Sequence, residues 1–160
     1  MTKMLRILHN FHNLDFSQFT NVYHETIELA AVRDGRTAAE QAFYEDLSLF
    51  LTNRDAVCCV WECGGKYTSC VRYEPYMDGT LLTCLETSPQ NRRKGYARSL
   101  VKALLDLAIE QKQLPVYVHI HKNNKASIAL HKGLGFRKIA DYAHLVDGTV
   151  STSYFTLKFE

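Results

Sequence analysis

The stretch Leu81–Leu105, LLTCLETSPQNRRKGYARSLVKALL, decides how this chain is read. It opens as a strand, Thr80–Thr87, and runs through Pro89 into Arg92, Gly95 and Ala97. A helix follows, with Ala97, Leu100, Val101, Leu104, Leu105 and Ala108 recurring at the spacing of one buried face. A strand-to-helix turn built from small residues leaves several amide N–H groups without acceptors at a helix N-terminus. With the helix dipole, those amides make a seat for a diphosphate. Gly95 carries no side chain to block the phosphates, and Ala97 is small enough to let the backbone approach. Arg92, Arg93 and Lys94 place positive charge where such a ligand is negative. Neither the G-x-x-x-x-G-K-[ST] loop nor the G-x-G-x-x-G fingerprint is present. The other reading of the same residues is an ordinary helix start with surface arginines.

A second element separates the two readings. Downstream of another strand stands NNKASIALHKGLGF, Asn123–Phe136. At this point the sequence resembles the GNAT superfamily of N-acetyltransferases. Arg92-Arg93-Lys94-Gly95-Tyr96-Ala97 matches that family's [QR]-x-x-G-x-[GA] signature, and Pro89 stands where the family often has a proline. Asn124, Ala126, Leu130 and Leu134-Gly135-Phe136 match its downstream element. The resemblance covers about Ala56–Tyr142; the helices before it match only in number and order.

The resemblance implies a fold, a cosubstrate and roles. The fold is α/β of the α+β kind: a mixed, largely antiparallel sheet of about six or seven strands, two of them splayed, flanked by about four helices. The cosubstrate is acetyl-CoA. Backbone groups of Leu85, Glu86 and Thr87 would pair with its pantetheine arm, and amides of Arg93, Lys94, Gly95, Tyr96, Ala97 and Arg98 would hold its pyrophosphate beside Arg92. Asn124 would bond to the pantetheine, with Ser127 and His131 completing the set. His131 stands where the family commonly has a tyrosine that protonates the departing thiolate. An imidazolium can do the same, its ordinary pKa being about 6.5; an exposed helix histidine without that role is the alternative, and Tyr96 and Tyr142 are other hydroxyls. The base that takes the amine proton is sought among Glu86, His119 and His121, Glu86 lying at the end of the strand beside the reacting thioester. His119 and His121 share a strand face, which also suits a metal pair, but no third ligand is evident and no metal is expected. The acceptor is an amine of a small molecule, a peptide N-terminus or a protein lysine, and many members of the family pair through late strands, a role open to Ser151–Phe159 here. A coenzyme A sensor without catalysis and a plain interaction module are the rival functions.

The remaining sequence is consistent with one domain, residues 1–160, with acceptor-side helices over 1–55, the acetyl-CoA core over 56–142 and a closing strand over 143–160. Met4–Leu8 alternates as a first strand; Leu14–Val32 reads as one helix opening at Asn13 or Asp15 and ending at Asp34-Gly35. Thr37 and Glu40 form a capping box for a helix to about Asn53. Ala56–Glu62 and Lys66–Glu74 flank a Gly64-Gly65 hairpin turn, and Met77-Asp78-Gly79 is another turn. Pro115 starts a strand to His121, Asn124–Gly133 is helical, and Phe136–Tyr142 and Ser151–Phe159 are strands around Asp147-Gly148. The five cysteines, Cys58, Cys59, Cys63, Cys70 and Cys84, read as small buried strand residues rather than as a disulfide framework or zinc site. The net charge of +2, spread along the chain, gives no nucleic-acid footprint. No apolar run suggests a membrane span, and no signal peptide is evident, so the cytoplasm is the expected compartment.

Overall fold

The computed structural model describes Met1–Glu160. One sheet of seven strands runs in the order β1 (Lys3–Leu8), β2 (Val57–Cys63), β3 (Lys66–Tyr76), β4 (Gly79–Thr87), β5 (Val116–His121), β9 (Tyr154–Phe159) and β6 (Arg137–Ala140). β7 (Ala143–His144) and β8 (Val150–Ser151) form a separate two-stranded ribbon. The helices are α1 (Phe16–Val22), α2 (His24–Asp34), α3 (Arg36–Phe50), α4 (Tyr96–Glu110) and α5 (Lys125–Gly133). This is the mixed α/β fold expected, with five helices where about four were anticipated. The chain forms two compact units, Met1–Tyr73 with Cys84–Leu100, and Glu74–Thr83 with Val101–Glu160.

In the first unit, β1 and β2 pair antiparallel from Lys3↔Cys63 to Leu8↔Cys58, and β2 pairs antiparallel with β3. Phe19, Val22, Tyr23 and Ile27 from α1 and α2, Leu47 from α3, and Cys58, Val60, Tyr67 and Cys70 from the strands make its core. Asp15 starts α1 as its N-cap, accepting from the Gln18 N–H at 3.2 Å. The single helix expected over Leu14–Val32 is two helices, broken at Tyr23, whose ψ of 25° departs from the helical value. The break lets the Tyr23 ring turn inward while the chain continues as helix. The Thr37–Glu40 capping box does not form: α3 begins one residue after Gly35, which has φ +85° and no side chain to cap with, and Glu40 instead accepts from Arg36 Nε at 2.7 Å. Four cysteines are buried as expected, and burial pushes the Cys58 thiol up to about 12. Cys84 departs from that expectation: it is exposed on β4.

In the second unit, the parallel ladder of β4 with β5 pairs Thr80–Leu82 with Val116–Val118 and ends there. β5 then pairs antiparallel with β9 along its whole length, and β9 with β6. The strand expected over Ser151–Phe159 is β8 plus β9, interrupted by a turn. The helical spacing read along α4 is realised: Leu100, Val101, Leu104, Leu105 and Ala108 are all buried. Burying each leucine contributes about 1.5–3 kcal/mol, which stabilises the helix.

Candidate functional site

In the first unit the site is built from the last residues of β4 and the turn into α4. Ser88 anchors the turn, its N–H donating to Thr68 O at 2.9 Å and its hydroxyl accepting from Asn91 Nδ2 at 2.7 Å. Thr87 is tied by its hydroxyl to Ser69 at 2.7 Å. Arg93 has φ +61° and Gly95 φ +79°. Two left-handed residues so close together turn the chain sharply into the helix. Ser99 N–H bonds to Gly95 O at 2.9 Å, so the amides of Tyr96, Ala97 and Arg98 precede the first turn's acceptors, as at any helix start. A Cβ built at Gly95 would meet nothing within 4 Å. Arg93, Lys94, Gly95 and Arg98 are exposed around those amides. The donor set, the open glycine and the basic residues fit a pyrophosphate.

Arg92 is placed differently from its neighbours. Its guanidinium pairs with Glu25 of α2, and its Nε donates to Thr87 O at 3.4 Å. It therefore braces the strand end against α2 while adding to the positive field. Lys94 Nζ lies 3.5 Å from Asn91 Oδ1. Tyr96 points its hydroxyl at Cys63 Sγ, 3.8 Å away, with Lys3 Nζ over its ring at 5.7 Å.

Two contacts that sequence reasoning did not identify shape the strand end. Tyr23 OH donates to Cys84 O at 2.7 Å, and Cys84 has φ +55°. A non-glycine residue in that conformation is strained, and the buried tyrosine holds it there. Because a peptide's N–H lies antiparallel to its C=O, the Leu85 N–H points away from Tyr23. Glu86 accepts from Thr26 Oγ1 at 2.6 Å and from Thr26 N–H at 3.4 Å. Tyr23, the N-cap of α2, makes no side-chain cap bond, so Glu86 supplies a cap from another strand. Burial pushes the Glu86 carboxyl above its ordinary value, and the Thr26 bonds pull partly against that. Neither signal was legible locally: an aromatic at a helix break and a glutamate on a strand acquire these roles only through distant partners.

In the second unit, Asn124 is the N-cap of α5, its Oδ1 accepting from Ser127 N–H at 3.1 Å. His131 is not an exposed helix histidine; it is 1% exposed. Its Nδ1 lies 2.8 Å from Ser127 O and 3.3 Å from Ser127 Oγ. A carbonyl only accepts, so Nδ1 carries the proton, and Nε2 is buried without a partner. Its ring meets Phe136 edge-to-face at 5.1 Å. Burial holds its pKa below the ordinary 6.5, the Ser127 carbonyl opposing. His119 stands edge-to-face with Tyr76 at 5.3 Å, with Nε2 likewise buried and unpartnered. Burial first, and the charge of His144 second, lower its pKa too. His121 is exposed, its Nδ1 accepting from the Asn123 N–H at 3.2 Å. Tyr142 is also exposed. No group of three or more His, Cys, Asp and Glu side chains is placed to hold a metal ion, and no helix is long and apolar enough to cross a membrane.

The two buried histidines have a consequence for stability. Their folded pKa values lie below 6.5, so below that pH the unfolded chain binds more protons than the folded one. Their contribution is therefore complete above about pH 6.5 and is lost as the pH falls through the folded values. Urea titrations at about pH 7.5 and about pH 5.5 should show a lower midpoint in acid; an unchanged midpoint would contradict the burial of these rings.

The chain is 29% identical over 92 residues to the mouse (Mus musculus) N-acetyltransferase 8F1, covering 52% of this chain and 41% of that protein, so it spans about two fifths of that relative's length. Its structure superposes on the PaiA N-acetyltransferase of Thermoplasma acidophilum in complex with coenzyme A. The TM-score is 0.72 at 14% identity, with 99% of this chain and 98% of that one covered. A GNAT family acetyltransferase from Elizabethkingia anophelis with acetyl-CoA bound superposes with a TM-score of 0.59 at 14% identity, over 72% of this chain and 82% of that one. The model of the acetyltransferase (GNAT) family matches residues 10–136, which include the β4–α4 turn and all of α5. On that match, and on a fold that agrees with it, the chain belongs to the GNAT acetyltransferase family.

Proposed function

We propose that this protein is an N-acetyltransferase that uses acetyl-CoA and acylates a primary amine by direct attack in a ternary complex. The observation that carries the reading is the β4–α4 turn, where first-turn amides, an open glycine and exposed basic residues converge. Acetyl-CoA supplies the acetyl group as a thioester: the amine nitrogen gains the acetyl carbon, the C–S bond breaks, and one proton leaves the nitrogen while one reaches the sulfur. The amides of Arg93–Arg98 hold the pyrophosphate, with Arg93, Lys94 and Arg98 supplying charge. The backbone of Leu85–Thr87, beyond the last residue of β4 paired with β5, accepts the pantetheine as a strand partner. Asn124 uses its Oδ1 as the cap of α5, which leaves its amide NH₂ as the group available to donate to a ligand, and Ser127 lies on the same turn of α5. The Leu85 N–H, oriented by the Tyr23–Cys84 bond, is the donor suited to polarise the acetyl carbonyl.

Glu86 is the base of this mechanism, directly or through one water. Its raised pKa brings it closer to the operating pH, and Thr26 holds it in place. His119 suits the role less because its free nitrogen is enclosed. His131 holds its proton on Nδ1 and stays neutral as the pH approaches 7, so Nε2 has no proton to donate. We assign it to holding α5 against Phe136.

Titration of acetyl-CoA by calorimetry, followed by mass spectrometry of an amine panel, tests the reading. Micromolar binding and acetylated product are expected; a folded protein that binds no acetyl-CoA would refute it. Within that scheme, Glu86→Gln should retain acetyl-CoA affinity and lose transfer by about 100-fold or more. In the wild type the rate should rise with pH through a carboxylate pKa above the ordinary value, since the base acts when ionised. A variant as active as the wild type would remove Glu86 from the mechanism.

A further inference from the structure

The helical stretch that begins at Phe16 stops at a single residue, Tyr23, and resumes at His24. Hydrogen bonds continue through the break: the Tyr23 N–H donates to Phe19 O at 2.9 Å, and the Ile27 N–H donates to Tyr23 O at 3.0 Å. The Tyr23 ring is 4% exposed, stacked 6.1 Å from Phe19 and tilted 5.2 Å from Phe43. Held between those rings, it sets its hydroxyl on Cys84 O at 2.7 Å. A carbonyl only accepts, so the phenol donates, and burial pushes its pKa up, which keeps the proton in place. At the other end of this bond Cys84 has φ +55°. A non-glycine residue adopts that conformation at a cost, and it persists only where the surroundings impose it. Strain of this kind, one residue before the strand end assigned to the thioester, points to a use in the reaction.

The same helical junction grips β4 a second time, where Thr26 Oγ1 donates to Glu86 at 2.6 Å. One short segment, Tyr23 to Thr26, therefore holds both the Cys84–Leu85 peptide and the Glu86 carboxylate by hydroxyl donors. We propose that Tyr23 is a positioning residue for acetyl transfer: its hydroxyl fixes the Cys84–Leu85 peptide so that the Leu85 N–H is presented to the thioester carbonyl in register with the base at Glu86. The planar peptide makes the connection rigid, since pinning its C=O pins the N–H on the opposite side. A donor bonded to that carbonyl also polarises the peptide and strengthens its N–H as a donor. Tyr23 touches neither substrate in this scheme and acts through Leu85. The proposal rests on the acetyl-transfer reading and deepens it.

Tyr23→Phe keeps the ring and its packing and removes only the hydroxyl. With acetyl-CoA and the best acceptor of the amine panel, its kcat should fall by about 10- to 100-fold, somewhat less than the loss on deleting a carbonyl-polarising donor outright. Acetyl-CoA affinity by calorimetry should stay within about threefold, and the pH at which the rate rises should not move, because Glu86 keeps Thr26. Thr26→Val should give the opposite signature: without the bond that favours the ionised carboxylate, the rate should rise only at higher pH. A Tyr23→Phe variant as active as the wild type would overturn the proposal. So would a loss of rate matched by an equal loss of acetyl-CoA affinity, or one with a displaced pH profile, since either means general loosening. A second measurement needs no variant: amide hydrogen exchange at Leu85 in the wild type should slow more with acetyl-CoA than with coenzyme A, which lacks the carbonyl. Equal protection by the two would overturn the proposal, and this comparison decides if Tyr23→Phe does not fold or no amine of the panel is acetylated. Absence of acetyl-CoA binding would instead overturn the transferase reading beneath it.

Discussion

Gly95→Glu is expected to lower acetyl-CoA affinity by more than about 100-fold, equivalent to about 2.7 kcal/mol of binding energy, in a protein that still folds. Gly95 has φ +79°, so any L residue there is strained by about 1 kcal/mol. The protein's own packing does not forbid a side chain, because a Cβ at this position meets nothing within 4 Å. Stability should therefore fall only slightly. Binding should fall much further: a carboxylate beside the first-turn amides competes for the same donors as the pyrophosphate and repels it. Gly95→Ala separates the contributions, since it brings the backbone strain without the charge, and its affinity should lie between the two. Calorimetry on folded protein reads both effects, and a Gly95→Glu variant that binds like the wild type would move the pyrophosphate off this turn.

Gly79→Ala is the stability counterpart, with an expected loss of about 3 kcal/mol. Here the backbone conformation is ordinary and space is the reason. A Cβ at Gly79 would sit 2.0 Å from Pro115 O, the carbonyl that accepts the Thr80 N–H at 3.0 Å. The clash is with backbone, so no rotamer relieves it, and the ladder from Thr80↔Val116 to Leu82↔Val118 starts at that point. Gly148→Ala is the control. It has φ +87° but nothing within 4 Å of its Cβ, so its loss should be only about 1 kcal/mol. Urea unfolding of the three proteins distinguishes them. Equal losses at positions 79 and 148 would mean that β4 and Pro115 do not approach so closely.

The candidate site at the β4–α4 turn was legible because the features that suggest it are local. The strand, turn and helix around Arg92–Arg98 are consecutive in sequence, and the pyrophosphate seat needs only backbone amides, a glycine and nearby charge. The same holds for the apolar face of α4, where spacing suffices. Local rules misread the segments where a tertiary contact outweighed them. Tyr23 lies within an uninterrupted helical pattern, yet a bond to Cys84 O and burial against Phe19 and Phe43 outweigh one turn of helix. Thr37 and Glu40 have capping-box spacing, but Gly35 already starts α3 and Arg36 takes Glu40. His131 has the sequence neighbours of an exposed helix residue, and only its packing on Phe136 shows that it is buried and neutral.

By itself, then, the sequence determined the family, the fold class and the strand, turn and helix of the proposed diphosphate seat, because each depends on residues close together along the chain. Tertiary structure alone decided which side chains meet around the candidate site. Glu86 meets Thr26 across 60 residues, and Tyr23 reaches Cys84 across 61. No spacing rule reaches so far, since burial, hydrogen bonding and charge at such positions arise only when strands and helices distant in sequence are brought together.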